Sequence, residues 1–106
     1  MKVLVTGAAG FIGGQLWHTL WQRGDEVVGI DNFSYGNLDN LKFDDHDFGP
    51  EVRRIDIRDR EALPALFEAE KFDVVYNIAG IAPLPDCQSD PVQAIEVNTM
   101  GLVHVL

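Results

Sequence analysis

Positive charge is scarce in this chain. Its 106 residues carry 8 Lys and Arg against 17 Asp and Glu, for a formal net charge of −9 and a pI near 4.5. Proteins that grip a nucleic-acid backbone neutralise phosphates with clustered cations. That footprint is missing, so no nucleic-acid partner is expected. Long apolar runs are missing too, and none approaches the roughly 18 residues that signal a bilayer-spanning helix. The first strand-like residues begin at Lys2, without the charged segment and cleavage site of a secretory signal. No membrane partner is expected. Cysteine occurs once, at Cys87, which excludes an internal disulfide and fits a reducing cytoplasm. Cys87 has no histidine near it in sequence and reads as an inert loop thiol. Asp44-Asp45-His46-Asp47 lacks a second ligand motif elsewhere, so it reads as a solvated acidic loop rather than a metal site. His18 and His104 lie on helical segments with no catalytic companion. No repeat or low-complexity tract is visible.

Glycine, by contrast, is concentrated where it counts. A β-branched run at Val3, Leu4 and Val5 stops at Gly7, and Gly10 and Gly13 follow at intervals of three. A helical apolar pattern comes next. A strand, a glycine turn and a helix in that order bring bare N–H groups and a positive helix end to one point, where a diphosphate fits. Gly7 would make the turn, Gly10 would let the main chain approach the diphosphate, and Gly13 would let helix and strand pack closely. The N–H groups of Gly10, Phe11 and Ile12 are the expected phosphate donors. A βα turn that needs glycine only for its backbone angles is the plainer alternative.

Asp31 weighs against that alternative. It stands at the end of a second strand-like run, 18 residues after Gly13. That is close to the ~20-residue offset at which an acidic side chain takes the adenosine ribose hydroxyls. A carboxylate there repels a 2′-phosphate, and no Lys or Arg lies between Arg23 and Lys42 to offset it, so NAD is favoured over NADP. Flavin sites usually space their glycines as G-x-G-x-x-G, unlike the G-x-x-G-x-x-G here.

The periodicities predict an α/β chain: strand 2–6, helix 11–23, strand 26–30, a short helical piece near 36–42, strand 51–55, helix 59–70, strand 73–77 and helix 91–106. Strands separated by helices pair in parallel through right-handed crossovers, here in the order 3-2-1-4, as a single domain over residues 1–106. Asp59 and Asp90 are the expected caps of the last two helices, and Pro64 would distort the first of these. In the opening helix Ile12, Leu16 and Leu20 form one stripe and Trp17 with Trp21 a second, so that helix should be buried on two sides. The tryptophans are expected to be core rather than ligand groups. The sheet reads as unfinished, leaving residues 73–77 as an apolar edge open to association into a homo-oligomer.

Thr6-Gly7-Ala8-Ala9-Gly10-Phe11-Ile12-Gly13 resembles the extended short-chain dehydrogenase/reductases, specifically the NAD-dependent epimerase/dehydratase family. Asp31-Asn32-Phe33-Ser34-Tyr35-Gly36 with Asn40-Leu41 resembles the adenosine-ribose loop of nucleotide-sugar 4-epimerases. Asp56-Ile57-Arg58-Asp59 resembles the family's adenine-side motif, and Asn98 with Gly101 its later Asn-x-x-Gly. The resemblance covers the whole chain. It implies a Rossmann-like, doubly wound sheet of which these are the first four strands. It also implies that Asp31, Asn32 and Ser34 hold the adenosine ribose, Asp56 and Ile57 the adenine, and Ala79 and Gly80 the nicotinamide ribose. Asn98 would support catalytic groups further along. The implied reaction is transient hydride transfer from a nucleotide-sugar substrate to NAD.

Two departures stand out. Asn77-Ile78-Ala79-Gly80 replaces the branch's usual His-Leu-Ala-Ala. The family's Tyr-x-x-x-Lys is absent, since four residues beyond Tyr35 and Tyr76 lie Asp39 and Gly80. A phenol of pKa ~10 needs a neighbouring ammonium to act as a base at neutral pH. The chain by itself is therefore expected to bind NAD without turning over. A non-catalytic dinucleotide-binding module and an inactive truncated fragment are the alternatives.

Overall fold

Val3, Leu4 and Val5 are wholly buried, the pattern of a central parallel strand covered on both faces. In the computed structural model, which describes residues 1–80 together with Ser89, Asp90 and Val92, they form β1 (Lys2–Thr6) at the middle of the sheet. The chain continues through α1 (Phe11–Gln22), β2 (Glu26–Asp31), a 3₁₀ turn at Leu38–Leu41, β3 (Arg53–Arg54), α2 (Ala62–Glu70) and β4 (Val74–Asn77). Among the described residues every pairing within the sheet is parallel, and the sheet order β3-β2-β1-β4 is the one expected.

Alternation along β1 divides the core. Val3 and Val5 face α1 and the loop after β2, where Trp17, Leu20, Leu41 and Phe48 complete one cluster. Leu4 faces α2 with Ile30, Ile57, Leu63 and Leu66. Trp17, 2% exposed, lies over Gly29 of β2 and stacks on Phe48 at 4.9 Å between ring centroids. A Cβ at Gly29 would occupy the indole's space.

Several boundaries move, each for a physical reason. β2 runs one residue further than expected and takes in Asp31. β3 shrinks from five predicted residues to Arg53–Arg54, because β2 offers partners only at Ile30 and Asp31. α2 starts at Ala62 rather than 59. The Asp59 carboxylate accepts from the N–H groups of Glu61 and Ala62, both at 2.9 Å, and so caps the turn that leads into the helix. Those N–H groups hold the Asp59 carboxyl below its ordinary pKa. Pro64 then falls in the first turn, where no intrahelical N–H bond is lost. α1 stops at Gln22, and β4 begins at Val74, with Asp73 bracketing Lys2 through two 2.8 Å bonds. The two stripes on α1 are also revised: Ile12 is 66% exposed and Trp21 38%, while Trp17 and Leu20, one from each stripe, are buried, with Leu16 packed against them. The helix predicted over 91–106, with Asn98, lies outside the described residues apart from Val92, which is exposed.

Candidate functional site

The carboxyl-terminal ends of β1, β2, β3 and β4 open onto one cleft of ≈280 Å³. Gly7, Gly10, Phe11, Ile12, Asp31, Asn32, Ser34, Asp56, Ile57, Ala79 and Gly80 all line it. Every site residue named from the sequence is thus gathered here except Asn98, which lies outside the described residues.

The turn after β1 is built from backbone. Gly7 has φ +64°, and a Cβ there would come within 2.8 Å of the Ala79 nitrogen. At Gly13 a Cβ would collide with the Gly7 carbonyl oxygen, so the first turn of α1 lies against the end of β1. Gly10 caps α1 without a side-chain bond. Among the described residues the N–H groups of Phe11, Ile12 and Gly13 have no acceptor. A helix start left this way presents unsatisfied donors and a partial positive charge. The Gly10 N–H differs from expectation, since it donates to the Gly7 carbonyl at 3.1 Å and is spent in closing the turn. The helix amides next in line, with Gly13 added, are the open donors. Such a cradle fits a diphosphate.

Asp31 is 8% exposed and works twice within the chain: Oδ2 accepts from the Ala9 N–H at 2.9 Å, and Oδ1 from the Phe33 N–H at 2.7 Å. Each oxygen keeps a second lone pair, and the residue borders the cleft. Ala9 is fixed from its other side as well, its carbonyl accepting from the Asn37 N–H and the Asn40 amide, both at 2.9 Å. The glycine turn, the end of β2 and the following 3₁₀ segment therefore form one unit.

Asn32 lines the cleft and is also engaged within the chain. Its amide donates to Asp56 at 3.0 Å and its carbonyl accepts from the Ser34 N–H at 3.0 Å, so it ties the two strand ends together. Asp56 also takes Arg58 Nη2 at 2.7 Å, Arg58 Nε and the Arg58 N–H. The Arg58 guanidinium foremost, with its backbone N–H and the Asn32 amide, brings the Asp56 pKa down to about 2 despite partial burial. Asp56 is thus a fixed anion at the edge of the cleft.

Thr6 and Asn77 carry no phosphate or ribose signal in the sequence, yet they shape the site. Buried Thr6 donates its hydroxyl to Asn77 Oδ1 at 2.6 Å and accepts from the Ala79 N–H at 3.1 Å. This holds the chain leaving β4 against the glycine turn and gives the unusual Asn77 a structural reason. Arg54 is likewise silent in the sequence. It stands far from Asp31 along the chain, whereas β2 and β3 pair the two directly. Around the acidic loop, Asp45 accepts from His18 at 2.7 Å and His46 pairs with Glu51. Among the described residues no three His, Cys, Asp or Glu side chains converge as metal ligands.

A family model described as "NAD dependent epimerase/dehydratase family" matches residues 3–106. UDP-glucuronic acid decarboxylase 1 of Arabidopsis thaliana is 37% identical over 106 residues, covering all of this chain and 23% of that protein. UDP-glucose 4-epimerase of Yersinia enterocolitica is 31% identical over 108 residues, covering 100% of this chain and 32% of that one. Among solved structures, UDP-glucose 4-epimerase of Thermus thermophilus in complex with NAD superposes with a TM-score of 0.85 at 35% identity, over 99% of this chain and 32% of that one. Pal from Bacillus thuringiensis gives a TM-score of 0.90 at 33% identity, over 99% and 34%. The chain spans about a quarter to a third of the length of these proteins.

Proposed function

The chain belongs to the NAD dependent epimerase/dehydratase family, and on that premise we propose that its cleft holds NAD for an enzyme acting on a nucleotide-sugar. The observation that carries this reading is the uncapped start of α1, aimed into the same cleft as the Asp31 carboxylate. NAD, when bound, supplies a hydride acceptor that can return the hydride after the sugar has rearranged. The chain's own residues bind and orient. The Phe11, Ile12 and Gly13 amides take the diphosphate oxygens, and the free lone pairs of Asp31 accept from the adenosine ribose hydroxyls. Ser34, with Asn32, lies at that ribose; Asp56 accepts from the adenine amino group, and Ile57 lines that end. Ala79 and Gly80 border the nicotinamide ribose, held in place by Thr6. Asn98 supports catalytic groups that lie beyond these residues.

The 106 residues contain no Tyr-x-x-x-Lys and so lack a phenolate base for the sugar hydroxyl. On this reading the isolated chain binds NADH and does not turn over a nucleotide-sugar. Work in the cytoplasm and assembly into a homo-oligomer belong to the same proposal. Among the described residues β4 pairs only with β1, which leaves it an edge strand. Titration of the chain with NADH, followed by nicotinamide fluorescence, tests the reading. Saturable binding that competes with ADP-ribose is expected, and no binding up to millimolar NADH would overturn it.

A further inference from the structure

Four arginines lie in β3 and the turn that follows it, and two of them are consumed in ion pairs. Arg53 pairs with Glu70 at 2.8 Å and Arg58 with Asp56 at 2.7 Å. Arg54 differs. Its guanidinium lies 4.5 Å from the centroid of the Phe33 ring, the side chain is exposed, and it makes no ion pair among the described residues. Arg54 is the register partner of Asp31, and paired positions on adjacent parallel strands send their side chains to the same face. Asp31 on that face reaches the Ala9 N–H, and Phe33, whose ring carries Arg54, donates its N–H to Asp31. An aromatic face attracts a cation and holds it in a defined place. The fold therefore installs a positive charge beside the carboxylate end of β2, a charge that the linear sequence around Asp31 does not contain.

We propose that Arg54, which stands outside the residues lining the cleft but is the register partner of Asp31, which does line it, is a specificity-determining residue, offsetting the repulsion that Asp31 exerts on an anionic group at the ribose 2′ position. The proposal rests on the NAD reading and adds to it that discrimination between NAD and its 2′-phosphorylated form is set by the Asp31–Arg54 pair jointly. Phe33, at φ 65°, is the platform that keeps the guanidinium on this side of the loop. The guanidinium is exposed to solvent, so its effect is modest and sensitive to salt.

The test is the ratio of NADPH to NADH dissociation constants for the chain and for R54M and R54K, measured by fluorescence titration at about 20 and about 300 mM salt, on either side of the screening range. At low salt R54M should raise the ratio about three- to tenfold, with R54K staying near the parent. The difference should shrink at high salt. The substitutions lie on an exposed side chain, and matching circular dichroism spectra establish that the fold is kept. NADH binding with an unchanged ratio in R54M, or an equal rise in R54K, would overturn the role of Arg54 and leave the NAD reading standing. Failure of the parent to bind NADH would overturn both.

Discussion

Asp31 and Ala9 are joined by a buried 2.9 Å hydrogen bond that runs from the end of β2 to the middle of the glycine turn. The carboxylate that would hold a ribose is thereby also the brace of the loop that would hold the diphosphate. Recognition of the two ligand parts is not independent.

Asp31→Asn tests that coupling. The amide can accept from only one of the two N–H groups now bonded to Asp31 and must turn its own donors toward the other. Leaving a buried donor unsatisfied costs about 1–3 kcal/mol. We expect a loss of stability of that order by urea denaturation and a fall in NADH affinity of about tenfold or more. NADH affinity should fall further than NADPH affinity, because the repelling charge is gone.

Gly13→Ala reverses the usual helix rule. Inside an unobstructed helix, alanine is favoured over glycine by about 1 kcal/mol. Here the added Cβ would strike the Gly7 carbonyl oxygen, which is backbone and cannot swing aside. The expected outcome is destabilisation of about 2 kcal/mol or more and loss of NADH binding. Gly24→Ala is the control. Its Cβ would meet nothing within 4 Å, so only the cost of φ +94° remains, about 1 kcal/mol, with binding intact.

Thr6→Val separates steric fit from hydrogen bonding. Valine fills the same buried space but leaves Asn77 Oδ1 and the Ala79 N–H without the hydroxyl. We expect about 1–3 kcal/mol of destabilisation. NADH affinity should weaken while adenosine monophosphate affinity is little changed, because the disturbed segment lies against the glycine turn and the proposed nicotinamide side, away from the Asp31 and Asp56 end. Parallel titrations with the two ligands would show this split.

What the sequence makes legible follows from the range of the interactions. Strand order, the glycine turn and the place of Asp31 rest on short-range pattern, apolar runs and glycine spacing that any reader of the chain can find. Pairs such as Thr6 with Asn77, or Asp31 with Arg54, join residues far apart in sequence and become neighbours only when parallel strands align. The bond that ties Asn32 to Asp56 is hidden in the sequence for a related reason. The residue type of Asn32 suits a ribose contact, and Asp56, arriving from the end of β3, also takes its amide. The start of α2 shifts because Asp59 caps a turn that looks helical in sequence before the helix proper begins. Ile12 fits a core stripe by period, yet it lies at the open rim where α1 meets the cleft.

The Asp56 cluster makes acid the informative condition. In the folded chain the Asp56 carboxyl titrates at about 2 rather than its ordinary 3.8, chiefly because the Arg58 guanidinium bonds the ionised form. A depressed folded pKa means that the unfolded chain takes up the proton first as pH falls. The stabilisation is therefore complete above about pH 4 and is lost between there and about pH 2. Solvent screening at this partly exposed site limits it to about 1 kcal/mol. Asp45, lowered by its bond to His18, Asp59, and Glu70, lowered by Lys2 and Arg53, shift the same way and steepen the same acid limb. Asp56→Asn should therefore flatten the fall in urea midpoint between about pH 4.5 and about pH 2.5 without abolishing it. If the variant and parent lost stability in parallel over that range, the Asp56–Arg58 pair would have no energetic part in holding the end of β3 beside the cleft.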